Sequence, residues 1–136
     1  MPYLNVKLSV PESADLTKNV AAVLTDITSE VLGKSPDLTV VVIDYVQPQH
    51  WFISGTSLLD QNATSMYVDI KITEGTNTKD EKALFLAKVF SSMAAIVGPL
   101  ARASYVVIHE VRADSWGDQG KTKEFRYVQG ARKMVP

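Results

Sequence analysis

Apolar residues recur along this chain with two periods, and the periods alternate in a fixed order. Leu4, Val6, Leu8 and Val10 stand at every second position, separated by Asn5, Lys7 and Ser9. A period of two is that of a half-buried β-strand. Past Pro11-Glu12-Ser13-Ala14-Asp15, which carries turn and helix-start chemistry, apolar residues return at helical spacing. Leu16, Val20, Val23, Leu24, Ile27 and Val31 form one stripe. Gly33 stops this helix and Ser35-Pro36 keeps it stopped. Leu38 to Val46 is rich in β-branched residues and predicts a second strand. The order then starts again. Tyr67 to Thr73 alternates, and Glu74-Gly75-Thr76-Asn77-Thr78 turns. Leu86, Phe90, Met93 and Val97 line a helix face, Gly98-Pro99 ends it, and Tyr105 to Val111 predicts the last long strand.

The repetition extends to single residues. At an offset of about 65, Val31-Leu32 matches Ile96-Val97, Gly33 matches Gly98, and Val41-Val42-Ile43 matches Val106-Val107-Ile108. Val46, Trp51 and Gly55 match Val111, Trp116 and Gly120. Nearer the start the offset falls to 64, so that Leu4, Val6 and Leu8 match Val68, Ile70 and Ile72. The chain therefore reads as one domain, 1–136, built of two pseudo-repeats, 2–55 and 66–120. Ser57 to Thr64 links them, and a polar C-terminal stretch, 121–136, is expected to add a short strand or arm. A strand–helix–strand unit joins parallel strands by a right-handed crossover. The fold class expected is α+β: tandem β-α-β repeats, a four-stranded sheet parallel within each unit, and both helices on one face. Largely apolar strands leave the other face to be covered, and self-association would cover it.

Composition narrows the function. Fourteen basic against 15 acidic residues leave a net charge of −1, without the basic surplus that a nucleic-acid binder needs. The chain has no cysteine, which removes disulfides, thiolate chemistry and Cys-based zinc sites. His50 and His109 occupy non-equivalent positions and form no metal spacing; His109 reads as a strand residue and His50 as a loop residue. No apolar run reaches the ~18 residues of a membrane helix, and the start lacks the basic and apolar segments of a signal peptide. The expectation is a cytoplasmic protein with no cofactor, no metal, no nucleic acid and no membrane among its partners.

Candidate chemistry gathers at the N-terminus. Met1-Pro2 opens the first strand. If Met1 is removed, as a small second residue favours, Pro2 becomes a free secondary amine fixed at a strand end. The ordinary α-amino pKa is near ~8, and burial lowers it. A neutral amine can take a proton next to a carbonyl and return it to another atom, and the proline ring holds the nitrogen still. The plainer alternative is that Pro2 only starts a strand or shields the N-terminus. The counterpart of Pro2 in the second copy is Met66, an internal residue with no amine.

Taken together, Met1-Pro2 opening a strand, the tandem units, Gly33-Lys34-Ser35-Pro36 after the first helix, and Trp51-Phe52-Ile53-Ser54-Gly55 resemble the tautomerase superfamily over roughly residues 2–120. The first copy resembles 4-oxalocrotonate tautomerase. The two-unit layout resembles macrophage migration inhibitory factor and the fused tautomerase-like enzymes. The resemblance implies a homotrimer with the N-terminal proline at subunit interfaces. It also implies cofactor-independent keto–enol chemistry on a small carbonyl or enol acid, with Pro2 as general base. Lys34 matches the lysine near proline in the migration-inhibitory-factor pattern, and is equally a helix-end lysine favoured by the dipole. Tyr105 falls where that family has a pocket tyrosine. Trp116, like Trp51, corresponds to an aromatic pocket residue of the 4-oxalocrotonate pattern; interface packing is the alternative. Lys71 faces away from Ile70 and Ile72 and could reach a pocket or stay in solvent. Arg112 and Asp118 flank Trp116 in a loop that could border the site.

The departures limit the substrate. The family's arginines have no counterpart, since Glu12, Thr73, Thr76, Val40 and Tyr105 hold those places. Dicarboxylates and dehalogenation are thereby disfavoured. Two other functions stay open: Pro2 as a cationic acid for hydration, dehalogenation or decarboxylation, and a non-catalytic trimeric binding or signalling protein.

Overall fold

The computed structural model describes the chain from Met1 to Lys133. Strand β1, Tyr3–Leu8, turns Leu4, Val6 and Leu8 into the core and Tyr3, Asn5 and Lys7 away from it. Ser13 caps helix α1, Ala14–Leu32, by accepting a hydrogen bond from the Leu16 amide at 3.3 Å. The expected stripe is the buried one, with Val20, Leu24, Ile27 and Val31 inside and Leu16 and Val23 packed at its margin. Gly33 ends the helix at φ 68° and donates back to the carbonyls of Ser29 and Thr28, a left-handed turn that costs glycine little. Pro36–Leu38 then forms a single 3-10 turn, so strand β2 is shorter than expected, Val40–Tyr45.

The first unit closes with hairpin β3–β4, Phe52–Ile53 and Thr56–Ser57, and a one-turn helix α2, Leu58–Gln61. The second unit opens with β5, Met66–Thr73. A reciprocal capping box, Thr78 with Glu81, starts helix α3, Lys79–Val97. Strand β6 is Tyr105–Val111, as expected. Hairpin β7–β8 follows, Gly117–Asp118 and Lys121–Thr122, and then helix α4, Lys123–Lys133. The stretch read as a short strand or arm is thus a two-residue strand followed by a helix. Residues 134–136 lie outside the described residues.

One sheet holds the four long strands in the order β2-β1-β5-β6. Each unit contributes a parallel pair, β1 with β2 and β5 with β6, and the units join through antiparallel β1 and β5. In that join Leu4 faces Ile70 and Val6 faces Val68, and all four are buried. Helices α1 and α3 lie against each other over one face of the sheet, and the core sits between the two layers.

Two expectations need correction. The buried side of α3 is Phe85, Val89 and Met93, whereas Leu86 and Phe90 remain 37% and 41% exposed. Leu84, Phe85, Leu86, Val89 and Phe90 spread apolar residues around the helix. Periodicity then admits two overlapping stripes, and the face that meets α1 and the sheet selects between them. The open face of the sheet is also less apolar than expected. Its centre is polar, with Asn5 Nδ2 donating to Asp69 Oδ1 at 3.3 Å. The exposed apolar residues of β2 are Val40 and Val42, at the edge.

Candidate active site

Because β1 and β5 run antiparallel with Tyr3 opposite Lys71, the start of the first unit lies beside the end of the second unit's first strand. A cleft of about 340 Å³ forms there between the two units. Its lining from the first unit includes Pro2, Leu38 and Val40, and from the second Lys71 and Trp116. Pro2 is buried, and its carbonyl accepts the Val40 amide at 3.0 Å. This bond ties the first residue of the strand into the sheet. Trp116 is fixed by its own hydrogen bond, Nε1 donating to Thr73 Oγ1 at 3.2 Å.

The charges at this end of the sheet are lysines. Lys71 lines the cleft, half-exposed, with Nζ 3.7 Å from Asp69 Oδ1 on its own strand. Lys34 follows Gly33 and reaches across to donate to Thr76 Oγ1 at 2.8 Å. It is not a wall of the cleft, but its charge acts on the amino terminus. Burial, and then Lys123, hold Lys34 below the ordinary lysine value, with Glu81 opposing. Lys123 was missed by sequence reasoning. It is the first residue of α4, its amide donates to the Trp116 carbonyl at 3.0 Å, and its charge acts on the chain's amino group more strongly than that of Lys34. Asp118 and Arg126 hold α4 to its hairpin. Their Oδ1 and Nε atoms lie 2.8 Å apart as an ion pair without hydrogen-bond alignment, and Arg126 Nη2 donates to the Asp118 carbonyl at 3.1 Å.

The amino group in this structure belongs to Met1, and it reports on the surroundings a terminal amine meets here. Its pKa is lowered from 8.0 to about 6, first by burial and then by the charges of Lys123 and Lys34, with Asp118 opposing. At neutral pH most of such an amine is uncharged and able to accept a proton. In a chain that begins at Pro2, the terminal amine would be the proline nitrogen, in a residue that already lines the same cleft.

The remaining candidates are placed elsewhere. Tyr105 is not near Pro2 in this chain. It pairs with Tyr67, which pairs with Lys7, four positions along β1 from Tyr3. At ~3.3 Å per residue that is a displacement of about 13 Å along the strands, to which the two strand spacings from β1 to β6 are added. Tyr105 instead stands 61% exposed at a second cleft, against Met66 and Trp51. Arg112 turns to solvent and pairs with Asp114 through Nε at 3.2 Å and Nη2 at 3.1 Å. His50 and His109 are both exposed. Among the described residues no helix is long and apolar enough to cross a membrane, and no group of three metal-binding side chains comes together.

A signal for Lys123 was present in the sequence. The offset of 65 continues past Gly55 and Gly120 through Ser57 and Thr122 to Leu58 and Lys123. Both hairpins turn alike, with Ser54-Gly55 and Gln119-Gly120 at positive φ. Stopping the repeat at Gly55 and Gly120 left the two helix starts unpaired.

The family model described as "Tautomerase enzyme" matches residues 2–61 and again 67–126, the two units with their hairpins and helix starts included. "Probable tautomerase K2" of Dickeya dadantii is 34% identical over 62 residues, which is 45% of this chain and 92% of that protein. Among solved structures, the asymmetric trimer of the wild-type R7 fused 4-OT superposes with a TM-score of 0.82 at 16% identity, covering 92% of this chain and 98% of that one. The macrophage migration inhibitory factor-like protein of Entamoeba histolytica gives 0.73 at 20% identity, covering 89% and 97%. With two matches that together span most of its length, the chain belongs to the tautomerase family.

Proposed function

We propose that the chain, once freed of Met1, is a cofactor-independent tautomerase that moves a proton between the enol and keto forms of a small 2-oxo acid, with the Pro2 amine as general base. One observation carries this reading: Pro2 lines a cleft at the chain's start, where burial and the charges of Lys123 and Lys34 hold the amine of the adjacent Met1 below its ordinary value. The neutral amine takes the enol hydroxyl proton. The electron pair released closes the C=O bond as the alkene carbon collects the proton back from the prolinium. No other species is consumed. Lys123 and Lys34 offset the negative charge of the enolate and of the substrate carboxylate, and Lys71 adds a third cation that Asp69 partly neutralises. Trp116, held by Thr73, forms the apolar wall against which the substrate lies.

A lowered amine pKa favours base chemistry over the alternative in which a cationic Pro2 donates a proton for hydration, dehalogenation or decarboxylation. Arrangement as a homotrimer is part of the proposal. Val40 and Val42 on edge strand β2, and Leu86 and Phe90 on α3, are exposed apolar residues that subunit contacts would bury. The fused 4-OT neighbour is itself described as a trimer.

The test is ketonisation of phenylenolpyruvate or 2-hydroxymuconate by protein whose loss of Met1 has been verified by intact mass. Pro2→Ala leaves a primary terminal amine without the ring that holds the nitrogen in place, and is expected to lower kcat by about a hundredfold, as for a misplaced reacting group. If the unaltered protein is no faster than that variant on either enol, Pro2 is not the base and the reading fails.

A further inference from the structure

The antiparallel join of β1 and β5 relates the two units as a pseudo-twofold pair, so the cleft at Pro2 has a counterpart. Pro2, Tyr3 and Lys71 correspond to Met66, Tyr67 and Lys7 at an offset of 64. Val40 and Trp116 correspond to Tyr105 and Trp51 at an offset of 65. Those counterparts meet around a cleft of about 510 Å³, larger than the first.

Its chemistry differs at three places. Met66 fills the proline position, buried and internal, so no amine is present. Leu58 stands where the other cleft has Lys123, and Pro99 stands where it has Lys34. The cation left on its wall is Lys7. Among the described residues no carboxylate lies within 4.0 Å of the Lys7 amino group, although Asp44 is its neighbour across the β1–β2 ladder. Four aromatic side chains line the same cleft, Trp51, Phe52, Tyr67 and Tyr105. Phe52 and Tyr105 are about 60% exposed. Aromatic side chains left open around a concave site are the usual anchors for a flat apolar ligand, and a thioether beside them makes favourable contact with a ring.

We propose that the Met66 cleft is a second ligand site, which binds an aromatic monocarboxylate and does not convert it. The ring lies among Trp51, Tyr67 and Tyr105, and the carboxylate lies towards Lys7. The site stands on the geometry of the duplicated unit and does not require Pro2 to act as a base.

The chain has two tryptophans, one on each cleft, so fluorescence separates the sites. Phenylacetate is the probe, with phenylacetamide as its neutral counterpart. In the Trp116→Phe protein the remaining signal is Trp51, and phenylacetate is expected to change it saturably in the millimolar range. Lys7→Gln is expected to weaken phenylacetate about two- to fivefold, the range of one exposed ion pair, and to leave phenylacetamide unaffected. Tyr105→Ala is expected to weaken both ligands by about fivefold, through the loss of a ring contact. Both altered residues are exposed, and circular dichroism of each variant verifies that the fold is kept. The proposal is overturned if Trp51 shows no saturable response, which is the outcome when a neighbouring copy fills the cleft. It is overturned equally if Lys7→Gln and Tyr105→Ala leave the response unchanged.

Discussion

Lys123 occupies in the second unit the place that Leu58 occupies in the first. Both begin a helix after a two-residue hairpin, and both donate their amide to a tryptophan carbonyl, Lys123 to Trp116 at 3.0 Å and Leu58 to Trp51 at 2.8 Å. Leu58 is 1% exposed, so the position tolerates an apolar side chain. Lys123→Leu should therefore fold and test the charge alone. Removing this cation relieves the repulsion on the terminal amine, whose pKa then rises towards 8.0. The acid limb of the kcat/KM–pH profile should move up, and KM for an enol acid should rise by about tenfold, as for loss of a charged hydrogen bond. An unmoved acid limb would show that Lys123 does not act on the base.

The pH dependence has a definite sign. Base catalysis needs the neutral amine, so activity is full above the amine's pKa and is lost as the pH falls through it. The acid limb of kcat/KM reports the free enzyme. It should lie below the ordinary amine value of 8.0, in the direction that burial, Lys123 and Lys34 impose. A bound carboxylate offsets part of the lysine charge. The acid limb of kcat, which reports the complex, should consequently lie higher than that of kcat/KM. Steady-state rates on one enol across the neutral range measure both limbs.

Thr73 positions Trp116 without facing the reaction. Thr73→Val removes the acceptor of the indole N–H while keeping the shape of the side chain. KM should rise about threefold, in line with one neutral hydrogen bond, and the acid limb of kcat/KM should stay where it was. A shifted limb would place Thr73 in the proton chemistry instead.

The stripe of α3 can be tested by stability. Phe85 is fully buried, and Phe85→Ala should cost ~3–5 kcal/mol in urea unfolding. Leu84, its neighbour, is 48% exposed, and Leu84→Ala should cost less than about 1 kcal/mol. Equal losses would contradict the assignment of the buried face.

Much of the fold was written in the pattern of the chain. Strict alternation over Leu4, Val6 and Leu8 admits only one buried face, and α1 carries a single clean stripe ended by Gly33. Helix α3 was harder because Leu84, Phe85 and Leu86 are adjacent and apolar, so no period separates inside from outside until α1 is in place. The site was legible in part. Pro2 and Trp116 share a cleft because each belongs to a recurring unit, and Lys71 joins them through strand parity. The resemblance assigns Tyr105 to the pocket, whereas within one chain it is Val40, its counterpart in the repeat, that stands beside Pro2. The antiparallel join of β1 and β5 carries the two copies of that position to opposite ends of the sheet. Lys123 was overlooked because its neighbourhood is polar, and charge around a terminal amine is a property of the folded chain.

The most direct measurement compares enol ketonisation by the chain that begins at Pro2 with the same chain bearing an uncleaved N-terminal extension, each verified by intact mass. In the extended chain the proline nitrogen is an amide and cannot take a proton. Its kcat is expected to fall by about a hundredfold or more, with Lys34, Lys123 and Trp116 all still in place. Equal rates for the two proteins would contradict Pro2 as the base.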